Sequence, residues 1–371
     1  MYKSSRSGLK TNLGNIKRDL FKLHDEDLAI NDIVAAAEVF LEACTDDEKS
    51  KVCYHIDSPE WRTWSNPEFL LSDKGVRLDE CPLHLRVAVL DVLRASLSPE
   101  GYKKAISAMR INHFLGELVE APRIMNEYSY NFVLFGMPSA SRPWGFQLYG
   151  HHLCLNIFLY RRQIVISPWF TGAEPNFIDT GPYAGTRILH EEERLGLELM
   201  QGLSPQDQNA AQIYKDMHDA AMSEGRWNAD DQRHLCGAYR DNSVVPYEGV
   251  VVSSLSDSNQ NLVWQILEQY LTYLPSMSRR TRIEQCKHFA HETFFSWIGS
   301  FGSDDPFYYR IQSPIVVVEF DHHSGVFLTN EEPAKFHIHT LLRTPNAGDY
   351  GMALRPLIPP AQTVFKAIPR T

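Results

Sequence analysis

Fifteen histidines are present, and six of them fall in three tight groups: His151-His152, His322-His323 and His337-Ile338-His339. Neutral imidazole binds zinc, iron, copper or nickel, and a neighbouring carboxylate adds charge to such a site. The sequence around two of the groups has the alternation of strands, in which residues two apart share a face. His337 and His339 are therefore expected to point the same way, as are Glu319 and Asp321. In the first group the alternation separates the neighbours. His152 joins Cys154 and Asn156 on a polar face, and His151 joins Leu153, Leu155 and Ile157. Paired strands lie about 4.8 Å apart, so same-face side chains on neighbouring strands can converge on one ion. His152, His337 and His339 are the candidate ligands, with Asp321 as a fourth ligand or as the group that orients a histidine. His151, Asn156 and Asp349 would stand behind them. Each also has a plainer reading: packed histidines bonded to backbone, a polar turn over Asp321-His322-His323-Ser324-Gly325, and Cys154 as a small core residue.

The charged residues divide in the same way. Arg310 in YYRI and Arg343 in HTLLRTPN occupy strand positions. A guanidinium there either grips a substrate carboxylate bidentately or, as is commoner, pairs structurally with Glu319 or Asp321. Glu319 is a candidate acid or base. Glu191-Glu192-Glu193 opens a helix, where carboxylates suit the dipole. They read first as a solvated turn, with Glu192 a base if it edges a pocket. Glu174 lies in a loop, GAEPN, and has the look of a buried residue; Asp349-Tyr350-Gly351 reads first as a turn. There is no G-x-G-x-x-G, Walker loop, G-x-S-x-G or H-E-x-x-H in the chain.

These groups need a scaffold, and the hydrophobic periodicity supplies one. LAINDIVAAAEVFLEAC (28–44) has helical spacing, with Ile30, Val34, Ala37 and Leu41 as one stripe. Thr45-Asp46-Asp47-Glu48 is a capping box, and PLHLRVAVLDVLRASLS followed by Ser98-Pro99-Glu100 gives two more helices. Residues 25–125 are thus expected to be helical. Strands are expected over 128–170: YSYNFVLFG, then 144–160 as one run, then QIVISPWF after a reversal at Arg161-Arg162. Helices return over 186–292, including one through SPQDQNAAQIYKDMHDAAM, and strands again over 293–344. Blocks of helices and hairpins in that order predict an α+β fold with an antiparallel sheet, rather than the strand–helix alternation of a doubly wound fold. Residues 25–355 are read as one globular domain, between a loose polar arm (1–24) and a C-terminal tail (356–371).

Composition bounds the function. The 371 residues carry 36 basic and 46 acidic side chains, a formal charge of −10, which argues against a nucleic-acid backbone as partner. No stretch of 18 apolar residues occurs, so no membrane span is expected. Residues 1–20 have no apolar segment, so no secretory signal is expected. Six scattered cysteines without CxxC spacing fit reduced thiols in a cytoplasmic protein.

Several long motifs also carry a resemblance. PWGFQLYGHHLCLN (143–156), FTGAEPN (170–176), the EE…GLELMQGLSPQDQNAA region (192–211), FFSWIGS…FYYRIQSPIVVVEFD (294–321) and HIHTLLRTPNAGDYG (337–351) resemble the domain of unknown function 3500 family. With LSPEGYKKAISAM (97–109) upstream, the likeness covers residues 60–355 or so. It implies no activity, but its polar signatures fall on Gly150-His151-His152-Leu153, Glu319, Asp321, His337-Ile338-His339, Arg343 and Asp349-Tyr350-Gly351. One departure stands out: Met352-Ala353-Leu354-Arg355-Pro356 replaces the D-x-L…H that commonly follows in the family, so any acid or base there is missing. The expected function is a metal-dependent enzyme, hydrolytic through metal-bound water, acting on a small polar or anionic molecule. The divalent metal would be zinc, with iron or copper in an oxygenase as the alternative. A metal-free small-molecule binder or acid/base protein using His152 and Glu319 is the competing class.

Overall fold

The computed structural model describes residues 8–68, 72, 74–325 and 327–360, so the first residues of the expected arm and most of the expected tail lie outside the described residues. In chain order come β1 (Lys10–Thr11), α1 (Ile30–Ala43), α2 (Asp46–Val52), β2 (Cys53–Tyr54), β3 (Val76–Arg77), α3 (Leu83–Ser96) and α4 (Pro99–Leu118). A run of strands follows: β4 (Tyr130–Phe135), β5 (Trp144–Gly150), β6 (Leu153–Tyr160) and β7 (Gln163–Ala173). Then come α5 (His190–Gly202), α6 (Pro205–Ala211), β8 (Gln212–Tyr214), β9 (Val244–Val245), β10 (Val250–Val251), α7 (Asp257–Tyr270) and α8 (Ser276–His288). The closing strands are β11 (Phe294–Ile298), β12 (Tyr308–Gln312), β13 (Val317–His322) and β14 (Ile338–Arg343). The fold is α+β, and its extensive sheet structure is mostly antiparallel.

Local chemistry accounts for the helix starts. The Thr45 hydroxyl accepts from Glu48 N, and the Glu48 carboxylate accepts from Thr45 N at 2.8 Å, so both halves of the capping box are present. Ser98 caps α4 through Gly101 N at 2.9 Å, with Pro99 at the first helical position. On α1 the buried stripe is Ile30, Ile33, Ala37 and Phe40. That is one residue off the expected stripe at two of its four places, because steps of three and four both return to the same face.

Three expected elements need correction. The run 144–160 is two strands, β5 and β6, which pair from Gly150↔Leu153 outward with His151-His152 as the turn. His152 takes a left-handed φ of 59° there, so strand alternation does not decide where it points. The helix expected to run on from Ser204 stops at Ala211, and Gln212–Tyr214 leaves it to pair in parallel with β11. Aromatic and β-branched side chains find a sheet partner at that point, and pairing overrides helical propensity. The polar turn expected at His322-His323 is instead the buried end of β13. His322 N donates to Phe307 O at 3.1 Å, and the His322 ring accepts from Phe307 N at 3.0 Å.

Contacts divide the chain into two compact units. One comprises residues 21–169, 272–281 and 349–371. Its strands run in the order β2-β4-β5-β6-β7, with β3 also on β4. Its core is aromatic: Trp61 stacks on Phe135 at 3.9 Å and Phe40 meets Phe132 edge-on at 5.0 Å. The other comprises residues 1–20, 170–271 and 282–348. Its strands run β10-β11-β12-β13-β14, followed by the end of β7, where the Thr340 hydroxyl donates to Thr171 O at 2.7 Å. Tyr309 of β12 and Phe320 of β13 are register partners whose rings stack at 5.2 Å. In the stretch read as an arm, Lys10–Thr11 pairs in parallel with Val244–Val245.

Candidate metal centre

Across β13 and β14, His339 lies directly opposite Asp321, and Leu341 opposite Glu319. Directly paired residues share a face, so one side of this ladder presents His339 together with both carboxylates. His337 precedes β14, and its ring returns to that of His339, with the two Nε2 atoms 3.0 Å apart. His323, just past β13, stacks its ring on His339 at 4.1 Å and lies 5.1 Å from that of His337. Its Nδ1 sits 2.7 Å from Ser324 O, a contact that places a proton on Nδ1 and a lone pair on Nε2. That Nε2 is buried and has no hydrogen-bond partner among the described residues. Burial pushes the His323 pKa down to about 4, which keeps the ring neutral.

Glu174, at the end of β7, approaches the same rings. Its Oε1 accepts from Leu328 N at 3.2 Å, and its Oε2 lies 3.7 Å from His337 Nδ1. Burial pushes this carboxyl up to about 7, against the pull of the Leu328 N–H. Phe170 closes on the His339 ring edge-on at 5.1 Å, and His234 lies 6.3 Å from it. His152, in the turn between β5 and β6, is buried, as are His337 and His339. Behind His152, the ring of His151 stacks at 3.8 Å, and its Nδ1 contacts Asn112 Oδ1 at 2.8 Å. Burial lowers the His151 pKa to about 3.

The remaining candidates are engaged elsewhere. Asp321 Oδ1 accepts from Arg233 Nε at 2.6 Å, while its Oδ2 is buried with no hydrogen-bond partner among the described residues. Glu319 accepts from Leu235 N at 2.8 Å, Cys236 N at 2.9 Å and the Tyr308 hydroxyl at 2.6 Å. Burial by itself would raise the Glu319 pKa, but His234, Arg310, the Leu235 N–H and the Tyr308 hydroxyl outweigh it and hold the carboxylate below its ordinary value. Arg310 pairs with Glu248 at 2.6 Å, and Arg343 with Asp241 and the carbonyls of Cys236 and Gly237. Glu192 is buried rather than solvated, and its backbone carbonyl accepts from the Tyr309 hydroxyl at 2.9 Å. Asn156 donates to Pro168 O at 2.8 Å, and Asp349 accepts from the Ser167 hydroxyl at 2.6 Å. The β13 carboxylates and Arg343 thus fasten one irregular segment, residues 233–241, to the sheet. That segment carries His234, which sequence pattern missed because no periodicity or motif marks it.

An α+β protein with a buried cluster of imidazoles around the start of β14 is the class that these features define. The chain belongs to the family described as protein of unknown function DUF3500, whose model matches residues 26–352. No curated protein and no solved structure matches it.

Proposed function

We propose that the protein is a metal-dependent enzyme whose centre is held by His337 and His339. The 3.0 Å separation of the two Nε2 atoms carries the reading. Nitrogens sharing a tetrahedral ion at bond lengths of about 2.0–2.1 Å stand roughly 3.3–3.4 Å apart, so the pair comes within a few tenths of an ångström of the spacing that an ion would set. The Nε2 of His323 and Oε2 of Glu174, both buried and without a hydrogen-bond partner among the described residues, support it further, since such atoms are costly unless something polar meets them. Zinc on these imidazoles would supply a bound water of lowered pKa, the chemistry of hydrolysis. Glu174, whose Oε2 lies 3.7 Å from His337 Nδ1, would orient that ring from its other nitrogen. Iron or copper in its place would point to oxygen chemistry.

Elemental analysis and a visible spectrum of the purified protein test this. The expected result is close to one zinc per chain and no visible absorption. Trace metal only, no uptake on dialysis against zinc, and a melting temperature indifferent to chelator would overturn the proposal.

A further inference from the structure

We infer that Arg226 grips a carboxylate of the substrate, so that the protein acts on small carboxylic acids. The inference deepens the metal-centre reading by naming the class of molecule that the centre would meet. Four arginines are buried among the described residues: Arg226, Arg233, Arg310 and Arg343. Three have a carboxylate, in Asp321, Glu248 and Asp241. Arg226, 5 % exposed, has none among the described residues. Its Nη1 donates to Arg233 O at 2.6 Å, and its guanidinium lies 5.2 Å from the centre of the Tyr308 ring. Its Nε and Nη2 are buried and find no hydrogen-bond partner among the described residues.

A buried cation with two open N–H groups is expensive to fold around, and such expense is a mark of a binding site. The open edge also has a shape. Nε and Nη2 form the side of the guanidinium that receives both oxygens of a carboxylate in parallel. Arg77 uses that edge on Asp79 in this same chain, at 2.7 and 3.1 Å.

The position relative to the histidines suits a substrate anchor. The Tyr308 ring that Arg226 overlies is 6.3 Å from the His234 ring, which is in turn 6.3 Å from that of His339. His234 Nε2 is itself buried without a hydrogen-bond partner among the described residues. The backbone around Arg226 is held in place before any ligand arrives. Arg226 N donates to Ser223 O at 3.0 Å, Asn228 N to Gln232 O at 3.1 Å, and Arg233 ties the segment to Asp321 and to His322 O. Preorganisation of this kind lowers the entropy lost on binding.

Calorimetry on the full chain, both chelated and zinc-supplemented, tests the inference with succinate, neutral succinamide and inorganic phosphate as probes. Succinate is expected to bind in both states and succinamide in neither. Arg226→Gln should weaken succinate on the order of 100-fold, and Arg226→Lys, which keeps the charge but not the fork, by at least about 10-fold. Metal content should stay unchanged in both. The ligand-free Arg226→Gln protein should melt no lower than the parent, because an uncompensated charge has been removed. A lowered melting temperature with unaltered succinate affinity would make Arg226 structural and overturn the inference, as would tight phosphate binding without succinate binding, or no succinate binding by the parent protein. Succinate binding by a protein that takes up no metal would sink the metal centre and leave Arg226 standing.

Discussion

Replacing Glu319 by Gln separates anchoring from chemistry. Glu319 is fully buried in β13, and its two oxygens accept from Leu235 N, Cys236 N and the Tyr308 hydroxyl. Glutamine keeps one acceptor oxygen and turns an NH2 group toward a backbone N–H that cannot receive it. Each charge-assisted bond lost costs about 1.5–3 kcal/mol, and a buried N–H left unmet costs about 1–3 kcal/mol more. Relief from burying the carboxylate charge offsets part of this, so a net loss of about 3 kcal/mol is expected. Urea unfolding followed by far-ultraviolet circular dichroism measures it. Metal content should persist in the folded variant, and succinate affinity should fall, because the anchored segment leads back through Arg233 to Arg226. A variant as stable as the parent, to within about 0.5 kcal/mol, would refute the anchoring role and return Glu319 to the list of groups that do chemistry.

The same carboxylate gives a pH dependence. Its folded pKa lies below the ordinary value, so its stabilisation is complete above the ordinary glutamate pKa of about 4.3 and is lost as pH falls through the folded value. Acid titration of stability should therefore be shallower in Glu319→Gln than in the parent. The double change His337→Ala, His339→Ala should abolish metal binding and bring the melting temperature near that of chelated parent protein; full metal retention would exclude both as ligands. Metal present at a thousandfold over its Kd adds about 4 kcal/mol. With an unfolding entropy of about 2.1 cal/mol/K per residue over 371 residues, chelation should lower the melting temperature by about 5 °C, read by scanning calorimetry. Gly116→Ala should cost about 3 kcal/mol in urea unfolding, since its Cβ would fall 1.9 Å from the Met125 carbonyl oxygen, a backbone atom with little room to retreat.

The order of helices and strands was legible because it rests on local signals. The Thr45 capping box and the reversal at Arg161-Arg162 each act over a few residues. The failures were places where a distant partner decided the outcome. Ile213 and Tyr214 leave a helical pattern because β11 offers them a ladder. His151-His152 make a turn without an Asn-Gly or Asp-Gly signal, so nothing local distinguished the hairpin from one long strand. His322 stays in β13 because Phe307 is waiting across the sheet, which no property of Asp-His-His-Ser-Gly could reveal.

The site was legible in the same uneven way. His337 and His339 are two apart in one short segment, and their convergence follows from local geometry alone. Arg226 and His234 lie in a stretch with no periodicity, and they acquire meaning only through what the sheet does with Glu319, Asp321 and Arg343. Those three carry the strongest polar pattern in the sequence, and each is spent on holding residues 233–241. A buried charge with every lone pair engaged positions its neighbours, whereas one with open hydrogen-bonding groups waits for a ligand. By that criterion Glu319, with both oxygens engaged, belongs to the frame, whereas Asp321 keeps a buried Oδ2 without a hydrogen-bond partner among the described residues and sides with the histidine cluster and Arg226 in the proposed site.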